Sequence, residues 1–375
     1  MIYRQFILVI LAGLFLSGCT AASTGTNWQV THSLGLDALV FIGALSGDLM
    51  AEKHYQADID EMRGKFSQEG LDALTTLDEI IRAQENMLVG PSLALYFSAG
   101  PTGTLDDLLA TIDDPESIRP AFAASPYWSE EGWGGFVGVL PDVRTVIEEL
   151  QRVGFEEKWR RDVLPLIEQR RPLFVEAVDP YDVITEQKRL LGRHLDPTIE
   201  IIVVNYSQPY GIKIIGQRFL THHHYSPEIQ LRIAAHEIFH PPFDLDDQKL
   251  WTLLKPLEED KWMQNIVSDH NPQFGYNTYV GVINEDSTQA LDQIVGERLG
   301  FARDPATRFA EVDGGMHMVA AALYHAIKDD GFDERGGVYA DWLNDVLARG
   351  LLTPDEVRRR AREVVGEEAV VKWDY

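Results

Sequence analysis

The chain has 375 residues, a single cysteine and a formal net charge of −26. That acidic balance repels nucleic acid and anionic lipid headgroups and excludes binding modes built on either. One cysteine allows no internal disulfide, and the length allows one large folded unit or two smaller ones.

At the N-terminus a single cation, Arg4, precedes an apolar run from Phe6 to Leu16. The run is short for a membrane span and has the layout of a signal peptide, residues 1–18. It ends in Leu16-Ser17-Gly18-Cys19, which carries the only cysteine. This tetrad resembles the bacterial lipobox, which implies cleavage before Cys19 and lipidation of its thiol. Thr20 in place of Asp then implies an outer-membrane lipoprotein facing the periplasm, with exposure at the cell surface as the alternative, anchored to the membrane through the lipid.

Residues from about 20 to 29 read as a tether. The stretch Leu34 to Met50 reads as a helix of the core, too short in its apolar part to cross a bilayer. Amphipathic helices are expected over 57–66, 70–89, 105–112, 143–153 and 156–177, with 124–141, rich in Pro, Gly and Trp, as an ordered loop. A helix over 182–195 leads to strands over 199–205 and 211–220, joined by a turn around Pro209-Tyr210-Gly211.

After the strands, Ser226-Pro227-Glu228 supplies an N-cap, a first-turn proline and a first-turn acid. Ile229, Ile233, Ala234 and Ile238 recur at helical spacing, and Pro241-Pro242 stops the helix. Inside this frame lies His236-Glu237-Ile238-Phe239-His240, an HExxH motif. Residues four apart on a helix share a face, so His236 and His240 can direct both imidazoles at one ion, and zinc is well suited to them. Glu237, one residue round, stands beside the metal, where it can take a proton from an activated water and return it to a leaving group.

A catalytic zinc site generally has three protein ligands. The best third ligand is Glu285, in Val282-Ile283-Asn284-Glu285, where Asn284 would cap a helix running to Arg298 and Glu285 would sit in its first turn. Glu297, near the far end of that helix, is the rival. An HExxH helix followed by an Asn-Glu helix resembles the gluzincin class of zinc metallopeptidases and uncharacterised bacterial zincin-like families, over about residues 196–300. Departures are the long interval between His240 and Glu285, Gln289 where thermolysin-like enzymes carry an acid that orients a ligand histidine, and the early Pro241-Pro242 stop.

His317 and Tyr324, on a helix expected over 316–327, are candidates for stabilising a transition-state oxyanion. His222-His223-His224 reads either as an exposed loop or as a secondary metal site. Residues 269–279 could form a wall or lid of the cleft. The expected architecture is α+β and mainly helical: a helical N-terminal region over 19–180, and a zincin-like region over 181–375 with a small mixed or antiparallel sheet. The function expected is a Zn2+-dependent metallopeptidase of the cell envelope acting on a peptide or protein. Strand 211–220 would border the cleft and pair with an extended substrate. The alternatives are a non-enzymatic envelope lipoprotein using the fold as a binding scaffold, and a metal-dependent hydrolase of a non-peptide amide.

Overall fold

The structure, a computed structural model, describes residues 25–83 and 88–375. The lipobox and Cys19 lie outside the described residues. The fold is mainly helical α+β with one four-stranded mixed sheet, in the order β1-β2-β4-β3. Strand β1 is Asn27–His32, β2 Thr198–Val204, β3 Ile212–Ile214 and β4 Arg218–His222. β1 and β4 both pair with β2 in parallel, and β3 pairs with β4 antiparallel at the edge.

Two local expectations change here. Residues 27–32 form a strand, so the tether reading fails beyond residue 26. The single strand expected over 211–220 is a hairpin of β3 and β4, broken around Gly216, which has φ +74°. A parallel β1–β2 pair needs a crossover, and the helices from Leu34 to Leu191 supply it, so a strand from near the N-terminus shares one sheet with strands from the middle of the sequence.

Helix α1, Leu34–Leu45, is buried along its whole length. Ser33 caps it by accepting from Leu36 N–H. Asp37 in its first turn is fully buried and accepts hydrogen bonds from Trp159 Nε1 and from the backbone N–H groups of Asn205 and Tyr206. Burial pushes its carboxyl up to about 6 against those donors, and the contact ties α1 to the end of β2. Among the described residues no single helix is long and apolar enough to cross a membrane.

Where α1 meets the helix Val89–Phe97, Gly43 faces Gly90, and a Cβ on Gly43 would lie 2.6 Å from Gly90 N. The two glycines let the backbones approach and bring Val89–Phe97 beside β3. The loop expected over 124–141 is mostly helix, within Glu130–Arg152, with Pro141 inside it. Trp133, Phe136, Leu140 and Val143 bury one face, and Phe136 stacks on Tyr96 with centroids 4.6 Å apart. Tertiary packing here outweighs the weak helix propensity of Gly and Pro.

Candidate metal centre

The motif helix spans Pro227–Glu237, with Ser226 accepting from Ile229 N–H at its cap. It ends earlier than the sequence suggests. Proline N–H groups are missing at 241 and 242 and the residue before a proline avoids α geometry, so Ile238 to His240 leave the helix as a turn. Arg193 Nη2 donates to Pro241 O at 3.0 Å and fixes that turn. The turn still returns His240 to the face of His236.

The facing helix is Tyr279–Leu299, capped by Thr278, so it starts before Asn284 and Glu285 lies in its second turn. Its carboxylate, 1% exposed, therefore has no helix terminus to stabilise. Glu285 Oε1 is 3.4 Å from His236 Nε2, Glu285 Oε2 is 3.3 Å from His240 Nε2, and the two Nε2 atoms are 3.0 Å apart. A tetrahedral zinc at ~2.0–2.1 Å from its ligands sets ligand atoms about 3.3 Å apart, the scale of these separations. Glu285 Oε2 is buried with no hydrogen-bond partner, as expected of a ligand atom. His236, His240 and Glu285 are thus brought together as one group able to hold a metal ion.

Each ligand is oriented by a neighbour. His236 Nδ1 is 2.8 Å from Asp292 Oδ2, which holds the Nδ1–H tautomer and leaves Nε2 free for the ion. Asp292 lies seven residues after Glu285, on the same helix face, and is gripped by both terminal nitrogens of Arg308. His240 Nδ1 lies 3.3 Å from Thr288 Oγ1. Gln289 Nε2 donates to Glu285 Oε1 at 2.8 Å. The residue missing from position 289 for orienting a histidine is supplied from 292 instead. Had the same-face argument used for the histidines been applied to this helix, it would have pointed to Asp292.

The electrostatics favour a cation. Burial opposes a charge on His236, but Glu285 and Asp292 overcome it and hold the imidazole well above its ordinary range. Burial would likewise lift Glu285, yet His236 and His240 hold its carboxyl well below the usual carboxylate range. The same field attracts a divalent ion. Asp292→Asn is expected to weaken zinc binding about 10–100-fold, read by competition with a chromogenic chelator; unchanged affinity would remove Asp292 from this role.

Glu237, 7% exposed, lines a cleft of two lobes, of about 360 and 340 Å3, which share His236, Glu237, Tyr210, Gly211, Phe274 and Tyr276. A Cβ on Gly211 would meet Ile233 Cγ2 at 2.7 Å and Glu237 Oε1 at 3.3 Å, so only glycine lets the start of β3 come this close. The larger lobe is walled by β3 and by Leu88, Pro91 and Leu95 of the N-terminal helices. Lys213 also lines it; burial, opposed by Glu237, brings its ammonium down to about 8.

Phe274 to Asn277 form one wall, in keeping with the expectation for 269–279. His270 bridges Ile266 O and Gly275 O and pins this segment. Tyr276 has a left-handed backbone (φ 59°), costly for a bulky residue. Burial, reinforced by Glu285, keeps that phenol protonated and so a donor.

The two residues expected to stabilise an oxyanion lie elsewhere. Tyr324 donates to Glu297 Oε1 at 2.6 Å. Glu297, also held by Lys328, lies outside the group of His236, His240 and Glu285, which removes it as the rival ligand. His317 is fully buried between Asp286 and Asp313, with its Nε2 3.3 Å from Gln289 Nε2, one layer behind Glu285. His222 and His223 are buried and only His224 is exposed, so the exposed-loop reading of the triplet fails. The three could hold an ion, yet His222 Nδ1 already accepts from His224 N–H and His223 Nε2 pairs with Asn205 Oδ1.

Comparison with known protein families, curated proteins and solved structures finds no match for the chain.

Proposed function

We propose that this protein is a zinc-dependent metallopeptidase, held in the bacterial cell envelope by a lipid on Cys19. One observation carries the reading: His236 and His240 bring their Nε2 atoms within 3.0 Å of each other, with one oxygen of the Glu285 carboxylate 3.3–3.4 Å from each, and Glu237 stands beside them at the junction of the two cleft lobes. Zinc bound there would supply Lewis acidity toward a carbonyl oxygen and make water nucleophilic near neutral pH.

The chain's own groups do the rest. Glu237 accepts a proton from the attacking water and delivers it to the departing amine. The Tyr276 hydroxyl donates to the carbonyl oxygen as negative charge gathers on it. β3 is a sheet edge whose Ile212 and Lys213, with Gly211 just before it, line the cleft, so an extended substrate can add to it as a further strand. That edge favours a peptide over other amides, and Glu237 at the cleft junction favours an enzyme over a scaffold.

Incubation with a mixture of synthetic peptides, with products identified by mass spectrometry, tests this. Cleavage is expected at defined bonds, lost on chelation and restored by zinc. Cleavage that survives exhaustive chelation would contradict the reading.

A further inference from the structure

The two lobes of the cleft differ in chemistry. Beside the apolar lobe, the second is lined by Arg232, Arg303 and Arg308 together with Asp292 and Asp313. Arg308 is committed to Asp292, and Asp313 to His317. Arg232 and Arg303 are the two arginines among the described residues whose guanidinium makes neither a hydrogen bond nor an ion pair, and Arg232 Nε is buried without a partner. In a chain of net charge −26, with acids available nearly everywhere, two unpaired guanidiniums in one lobe need a reason. Burial depresses the proton affinity of both; Arg303 and Arg308 add to this at Arg232, and Arg308 does so at Arg303, a like-charge cost that an anion in the lobe would relieve.

Both are held in place. Arg232 lies four residues before His236 on the motif helix, so it shares the face of the metal ligand about 6 Å away along the axis. Arg303 sits in the connection after Gly300, where its carbonyl accepts from Gln293 Nε2 at 2.8 Å. An extended peptide advances ~3.3 Å per residue, so a group at Arg232 lies one or two residues from the scissile carbonyl.

We infer that Arg232 and Arg303 form a carboxylate-binding subsite that selects substrates with a negative charge one or two residues from the cleaved bond, opposite an apolar group held by the other lobe. The inference rests on the metallopeptidase reading. Guanidinium forks recognise carboxylate and phosphate alike, and a peptide cleft makes carboxylate the occupant. That carboxylate is either a peptide C-terminus or an acidic side chain.

The test uses the zinc-loaded Glu237→Gln chain, to prevent turnover, and isothermal titration with N-acetyl-Leu-Leu, its C-terminal amide, N-acetyl-Leu-Glu-amide and inorganic phosphate. At least one carboxylate peptide should bind tenfold or more tighter than the neutral amide. A lead for the free acid alone identifies the C-terminus, and one for the glutamyl amide alone identifies the side chain. The lead should vanish in an Arg232→Gln/Arg303→Gln background that still binds the neutral amide within twofold of the parent. Equal binding of all three peptides, a lead that survives the double substitution, or phosphate binding tighter than either acid would overturn the subsite. Charge selectivity in a protein that fails to take up zinc would sink the metallopeptidase reading alone. Zinc-dependent cleavage without charge preference would sink the subsite alone.

Discussion

Glu237→Gln is expected to lower peptide hydrolysis by about 10²–10⁴-fold while leaving zinc content and fold unchanged. Glutamine keeps the size and one acceptor of glutamate but has no basic carboxylate, so the change removes proton transfer and little else. Glu237 is the last residue of the motif helix, immediately after a ligand, and its charge is felt by Tyr127, Lys213 and Tyr276 across the cleft. It is none of the three proposed ligands. Paired measurements of kcat/KM and zinc stoichiometry check this. Full activity in the variant would give the proton transfer to another group, and lost zinc would mean that Glu237 supports the site rather than the reaction.

The second large effect is on stability. His317 is completely buried, 2.7 Å from Asp286 Oδ1 and 2.9 Å from Asp313 Oδ2. Burial alone would lower its affinity for a proton; the two carboxylates outweigh burial and push the imidazole up to about 10. The unfolded chain's histidine titrates near 6.5, so the folded state binds the extra proton between those values. The stabilisation is therefore complete below pH 6.5 and is lost as pH rises toward 10. His317→Asn leaves Asp286 buried without its cation and is expected to cost about 3–5 kcal/mol. Denaturant unfolding at pH 6 and pH 9.5 measures both, with the gap between parent and variant narrower at the higher pH. A gap of the same size at both would mean that the pair is not charged as described. Because Asp286 adjoins Glu285 and the imidazole lies against Gln289, the variant should also loosen the metal centre.

Much of this centre was legible in the sequence because its information is local. The spacing of His236 and His240 and the cap at Ser226 belong to one helix. Glu285 was legible from an Asn-Glu pair, although the helix around it was not: Tyr279-Val280-Gly281-Val282-Ile283 is β-branched and glycine-bearing, and only packing makes it helical. The same limit hid the helix through Pro141. Asp292 and Arg308 act across two elements, Tyr276 through a loop conformation, and the Arg232–Arg303 pair by lacking partners, so none has a signature within a short window. β1 went unread because its parallel partner, β2, lies more than 160 residues away.

His236, His240 and Glu285 are proposed to hold one zinc ion. Elemental analysis of the purified protein, dialysed against trace zinc beside His240→Ala and Glu285→Ala, tests it most directly. One zinc per chain in the parent and close to none in either variant is predicted. A parent without zinc, or a Glu285→Ala protein that retains a full equivalent, would contradict it.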